Sequence, residues 1–414
     1  MAATETNQAI EAVWRIEAAR VIAGVARLVG DVGLAEELAQ DALVAALEQW
    51  PAEGVPRNPG AWLTTTAKRR AIDQIRRRER FERSLPDLVT PETAEATDFD
   101  VVLEEDPIED DLLRLIFTSC HPVLAPEARV ALTLRLLGGL TTDEIARAFL
   151  VPSATVGQRI SRAKRALAEA RVPFELPVGA DRTERLASVL EVIYLIFNEG
   201  YSATAGDDWM RPALCEEAMR LGRVLAGLMP HEPEVHGLVA LLEIQASRGA
   251  ARTGPDGEPI VLLEQDRRRW DRLLIQRGLA ALERAESLGG GPYTLQAAIA
   301  ACHARARTAE ETDWARMAAL YARLAELTPS AVVELNRAVA VSMAEGPEAG
   351  LAVLDPLRDE PSLRHYHLLP SVRGDFLARL GRAAEARAEF ERAASMTRNE
   401  RERRLLLDRA AACD

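Results

Sequence analysis

The sequence predicts an all-α chain. Two small helical domains, joined by an acidic linker, are followed by a longer helical-repeat region. Three observations carry this. Aromatic residues are only 5% of the 414, while apolar residues reach 48%. Ala, Leu, Arg and Glu dominate, which favours helices over sheets. Apolar residues recur at spacings of three and four between proline and glycine turns. Finally, residues 139–167, GLTTDEIARAFLVPSATVGQRISRAKRAL, read as a helix-turn-helix.

That stretch is legible residue by residue. Thr141 with Glu144 makes a capping box, after which Ile145, Ala146 and Phe149 share a helical face. Val151-Pro152 breaks the helix, because proline disfavours a helical residue before it. Ser153 is placed to cap a second helix. Its apolar stripe is Val156, Ile160, Ala163 and Leu167, and its opposite face carries Gln158, Arg159, Arg162 and Arg165 with Lys164 nearby. A short helix, a turn and a basic amphipathic helix fit major-groove docking. An ordinary helical hairpin with a solvated basic face has the same pattern.

Taken in order, residues 8–29 are helical in period, and Gly30 to Gly33 form a turn. Leu34 to Trp50 is a second helix, closed by Pro51, and residues 51–60 are a Pro/Gly loop. Trp62 to Arg83 is a third, with Ala61, Leu63, Ala67, Ala71, Ile72 and Ile75 inward. Residues 8–83 make the first domain. Residues 84–111 read as a linker, extended or partly disordered. Two helices, within 112–118 and 126–137, lead into the helix-turn-helix, so 112–176 is the second domain. A Pro-rich exit places a boundary near Gly179. Residues 181–414 then carry long alanine-leucine helices. Within them Gly374, Gly381, Ala386, Phe390 and Ala393 resemble the tetratricopeptide pattern, in which small residues let paired helices approach and an aromatic fills the groove.

Composition narrows the function classes. The net charge of −13 argues against generic nucleic-acid binding, but its distribution does not. Between Arg57 and Arg83 there are nine Arg/Lys against three acids; between Asp87 and Asp111 there are eleven acids and no base. A basic helix end suits a phosphate backbone, though a solvated face explains it equally. There is no apolar run long enough for a membrane span and no basic-then-apolar leader, so no membrane association and a cytoplasmic location are expected. Cys120, Cys215, Cys302 and Cys413 are far apart and the six histidines are scattered, so no metal site and no cofactor are expected. No Gly-rich phosphate loop, HExxH or Gly-x-Ser-x-Gly appears, and the chain is not expected to be an enzyme.

Three blocks, AEELAQDALVAALEQW, PRNPGAWLTTTAKRRAIDQIRRRER and the helix-turn-helix above, resemble the signature blocks of bacterial extracytoplasmic-function RNA polymerase sigma factors, in the right order and spacing over about 170 residues. The resemblance implies a specificity subunit that binds core RNA polymerase and promoter DNA and opens the duplex. It implies polymerase contacts at Glu37, Gln40 and Asp41, with Leu38, Leu43 and Leu47 in the core. It places −10 reading and melting on Arg57, Asn58, Trp62, Lys68, Arg69, Asp73, Arg76 and Arg77, where Trp62 either stacks on a base or packs. It places −35 reading on Ser153, Thr155, Gln158, Arg159, Arg162, Lys164 and Arg165, to bases or to phosphates. Two departures stand out: Gly157 where a basic residue is common, and Leu150 where the turn often has glycine. The acidic linker would mimic nucleic-acid charge in a basic channel, or serve as a tether.

More than half the chain lies beyond these blocks. The layout resembles a sigma-factor subgroup with a tetratricopeptide-like extension, whose concave surfaces bind proteins or peptides. Regulation of the sigma module in cis, with a regulatory protein or peptide as a further partner, is the expectation. The alternative is a helix-turn-helix regulator fused to an interaction scaffold, acting without polymerase.

Overall fold

The computed structural model describes residues 2–83, 108–149, 151–202, 210–254, 258, 260–364, 366–397 and 400–413. Among them every extended element is helical, and the chain divides into two compact units, Met1–Ile193 and Tyr194–Asp414.

The first unit begins with α1 (Ala2–Val29), α2 (Val32–Glu53) and α3 (Pro59–Arg83), which pack on one another. Gly30, at φ +67°, makes the tight turn between α1 and α2. Asp31 then caps α2, accepting from the amides of Gly33 at 2.7 Å and Leu34 at 2.9 Å. Ile10, Val21, Val25, Leu38, Ala42, Trp50, Leu63 and Ala67 fill the core. Pro51 does not close α2, as the sequence suggested; the helix runs on to Glu53, and the Gly54 amide closes it on the Trp50 carbonyl at 2.9 Å. The third helix starts earlier than Trp62, because Asn58 caps it: its side chain accepts from Ala61 N at 3.1 Å, with Pro59 in the first turn.

The expected tether lies outside the described residues up to 107. Its last four residues are helical, because α4 spans Ile108–Ser119. Asp111 is buried between Arg27 at 2.9 Å and Arg114 at 2.5 Å, which ties α4 to α1. Burial pushes its carboxyl above the usual range, and the two arginines oppose that. Three helices follow: α5 (Pro126–Leu136), α6 (Thr142–Phe149) and α7 (Ser153–Glu169).

The boundary expected near residue 181 falls inside the first turns of one continuous helix, α8 (Gly179–Tyr201). The chain divides instead after Ile193. The second unit stacks antiparallel helix pairs. They run α9 (Pro212–Leu228), α10 (Pro233–Ala246), α11 (Arg272–Ser287), α12 (Pro292–Arg305), α13 (Trp314–Leu327), α14 (Ala331–Glu345), α15 (Pro347–Leu354), α16 (Leu368–Arg379), α17 (Ala383–Met396) and α18 (Glu400–Ala411). The small-residue notch read from the sequence is present: a Cβ on Gly374 would sit 2.9 Å from the Phe390 ring. Gly350 of α15 meets Phe376 of α16 in the same way, also at 2.9 Å, one helix earlier. Phe376 and Phe390 are both buried in the core joining α14 to α18. Small residues facing an aromatic let these consecutive helices approach closely, as stacked helical units need.

Candidate nucleic-acid interface

The helix-turn-helix folds as its local chemistry dictates. Thr141 N donates to Glu144 Oε2 at 2.8 Å and Glu144 N to Thr141 Oγ1 at 3.2 Å, closing the capping box. Burial works to raise the Glu144 carboxyl, but the two Thr141 donors, with Arg15 and Arg147, outweigh it and hold it below its ordinary value. Arg15 reaches Glu144 at 2.6 Å and so fastens α6 to α1. The α7 N-cap is Pro152 rather than Ser153, which is the first helical residue and caps nothing. Leu150, the turn residue singled out from the sequence, lies outside the described residues.

On α7 the expected stripe of Val156, Ile160, Ala163 and Leu167 is buried. Ser153, Gln158, Arg162 and Arg165 are exposed, and Thr155 and Arg159 are half-buried beside them. Thr155, Gln158, Arg159, Arg162 and Arg165 form one polar strip along the helix; Ser153, its first residue, lies off that strip on the Lys164 side. Arg165 also lies 3.5 Å from Glu169 along its own helix. Lys164 does not share the strip. It turns toward α2, where its ammonium stands 2.5 Å from the buried carboxylate of Glu36. Glu36 also accepts from Arg135 Nε of α5 at 2.6 Å and from Gln40 at 2.6 Å. One buried acid thus holds α2, α5 and α7 together.

The −10 candidates separate in the same way. Arg57, Arg69, Asp73, Arg76 and Arg77 are exposed. Lys68 is buried, its stem beside Gly24 of α1, so it does not join the exposed basic face. Asn58 is exposed, but its carbonyl oxygen is the cap of α3 described above. Trp62 is half-buried and meets buried Trp50 edge to face, with ring centroids 5.3 Å apart. That contact is the packing alternative of the two read from the sequence.

On α2, Glu37 and Asp41 are exposed; Asp41 is 3.5 Å from Arg70 of α3. Gln40 is half-buried and occupied by Glu36. Leu38 is in the core and Leu43 half-buried, but Leu47 is 42% exposed and its neighbour Val44 51%. Sequence reasoning placed Leu47 inside and passed over Val44. The outward face of α2 is therefore Glu37, Asp41, Val44, Leu47 and Glu48, an apolar pair flanked by acids at helical spacing. Such a face suits a protein partner carrying basic and apolar groups.

Among the described residues, no helix is long and apolar enough to cross a membrane, and no three His, Cys, Asp or Glu side chains gather as a metal site.

Comparison with known proteins covers the same segments. Residues 15–81 match sigma-70 region 2, and residues 114–167 match sigma-70 region 4. Residues 185–286 match a family of unknown function, DUF6596. The chain is 46% identical over 388 residues to a protein of Rhizobium meliloti (strain 1021) that bears the name uncharacterized protein R00370, covering 92% of this chain and 91% of that one. It is 30% identical over 159 residues to the ECF RNA polymerase sigma factor SigK of Mycobacterium ulcerans, covering 36% of this chain and 78% of SigK. It is 29% identical over 171 residues to the probable ECF RNA polymerase sigma factor SigI of Mycobacterium tuberculosis, covering 39% of this chain and 56% of SigI.

Proposed function

This chain belongs to the extracytoplasmic-function RNA polymerase sigma factors and carries an additional helical C-terminal unit, and we propose that it directs core polymerase to a two-part promoter while the C-terminal unit modulates it in cis. The observation that carries this reading is the separation of three exposed faces in one unit. The α2 face, with Val44 and Leu47 between acids, meets the polymerase. The exposed Arg69, Arg76 and Arg77 of α3 hold the −10 strand, with Arg57 on the loop before it. The α7 strip from Thr155 to Arg165 enters the −35 major groove.

The division of labour follows from the chemistry. Opening a duplex exposes unpaired bases and two phosphate backbones. Arginines on α3 neutralise phosphate and release counterions whichever base is present. Gln158, Arg159 and Arg162 present donors in the fork and amide geometries that read purine edges. Neither surface is large by itself, so mounting both on polymerase raises their effective concentration on one promoter. The C-terminal unit, with its stacked helix pairs, has the form of a surface for a protein or peptide.

Run-off transcription with purified core polymerase on a randomised promoter library tests this. Enrichment of a two-block promoter that needs both chain and core supports it. Transcripts without enrichment, or none at all, refute it. Replacing the C-terminal unit with an unrelated soluble domain tests cis modulation separately: unchanged output in every condition ends that part.

A further inference from the structure

The helix that leaves the −35-reading unit is tied to it by polar side chains. Leu186, Val189, Leu190, Val192 and Ile193 of α8 are buried. A helix leaves its last carbonyls without partners inside the helix. At the end of α4, two carbonyls take donors from α8. Arg185 donates to the Phe117 carbonyl at 3.3 Å, with its guanidinium 5.8 Å from the Phe117 ring. Ser188 donates to the Cys120 carbonyl at 2.5 Å. A cation at a helix C-terminus is also favoured by the helix dipole.

Arg129 of α5 completes the seat. It is buried, donates to Ser188 Oγ, and reaches Glu191 Oε2 at 3.0 Å. Ser188 therefore accepts from α5 and donates to the end of α4. Since α5 packs directly against α7, the seat lies one helix away from the −35 strip. The same helix continues without interruption into Tyr201, past the point where the chain divides.

We propose that residues 179–193 are a structural part of the −35 reader, positioned by Arg129, Arg185 and Ser188, and that the C-terminal unit acts on −35 recognition through this unbroken helix. The inference rests on the cis modulation proposed above and names its route. Arg129, Arg185 and Ser188 are positioning residues; they act through α4 and α5.

The test uses the full-length chain. A Gly-Ser-Gly-Ser insertion between Ile193 and Tyr194 breaks the helix and leaves the seat in place. The same insertion after Gly289, in the turn between α11 and α12, is the control. Ser188→Ala removes the hydroxyl that joins Arg129 to the Cys120 carbonyl with little change of size, and covers the case in which the insertion fails to fold. Run-off is measured on a selected promoter and on a template with a pre-opened −10 bubble and no −35 element. The 193/194 insertion should change output from the selected promoter at least fivefold and leave the bubble template within twofold. Ser188→Ala should move the same template by at least threefold, while the control does not. Parent-like output from both α8 variants on both templates overturns the inference, as does an equal loss on both. A parent chain inactive with polymerase on either template would instead sink the underlying sigma reading, and the inference with it.

Discussion

Glu36 offers a perturbation whose magnitude can be worked out. Its carboxylate is 4% exposed and stands within 2.6 Å of Arg135 Nε, 2.5 Å of Lys164 Nζ and 2.6 Å of Gln40 Nε2. Glu36→Ala leaves two cations facing a closed site. Removing one partner of a fully buried ion pair costs roughly 3–5 kcal/mol. The Arg135 and Lys164 side chains keep 23% and 22% exposure, and Arg135 also donates to the Leu140 carbonyl at 3.2 Å. Partial solvation lowers the expected cost to roughly 2–3 kcal/mol. Hydrogen exchange read by mass spectrometry on peptides from α2 and α7 measures this locally, without assuming that the whole chain unfolds in one step. Exchange there should quicken by about 30- to 150-fold, the equivalent of that range at 1.4 kcal/mol per tenfold. Glu37→Ala, one residue along and exposed, should stay within about 0.5 kcal/mol of the parent. Equal exchange in the two variants would refute the account of Glu36 as the acid that joins the three helices.

The remaining predictions concern the exposed faces and one buried histidine. Leu47→Glu should weaken association with core polymerase by about tenfold or more without changing the melting temperature, because the side chain is already at the surface; titration of labelled chain with core enzyme checks it. Arg162→Ala should weaken −35-dependent initiation by about tenfold or more, whereas Lys164→Ala should have under a threefold effect, because Lys164 faces Glu36 and not the strip; run-off at several salt concentrations separates them. His303 is held neutral by burial, with Arg248 and Arg267 adding to it, and its pKa falls to about 3 from the usual 6.5. The unfolded chain therefore binds a proton between those values that the folded chain refuses. The C-terminal unit should keep its full stability above pH 6.5 and lose up to about 1.4 kcal/mol per pH unit as the pH falls toward 3. Denaturant midpoints at pH 7 and pH 5 measure this, and His303→Phe, which keeps an edge-on ring against Trp314, should flatten the slope.

What the sequence made legible was local. The capping box of Thr141 and Glu144 and the stripe from Val156 to Leu167 depend on residues three and four apart, and both stand in the structure as read. The Gly374–Phe390 notch also followed from spacing, since both positions lie in one repeat. Charge was harder to place than apolar pattern. Lys68 lies four residues before buried Ile72, a spacing that marked it as inward, but the run of arginines around it read as one basic face. Lys164 falls between Ile160 and Leu167 at the same spacings, and its acid partner is in another helix far along the chain. The Asn58-Pro59 pair carries a helix-start signal that the loop reading of residues 51–60 passed over, and in the structure Asn58 caps α3. Proline and glycine mark the exit from α7, and α8 begins at once, held by carbonyls at the end of α4 and by the Arg129 side chain of α5, contacts that no local pattern reveals.

The most direct measurement of the central claim is size-exclusion co-elution of the full-length chain with core RNA polymerase, followed by permanganate footprinting of a selected promoter with and without the core enzyme. The account predicts a stable complex, and reactive unpaired thymines at the −10 element only when chain and polymerase are both present. Sequence-specific protection of duplex DNA by the chain alone, with no association with polymerase, would contradict it.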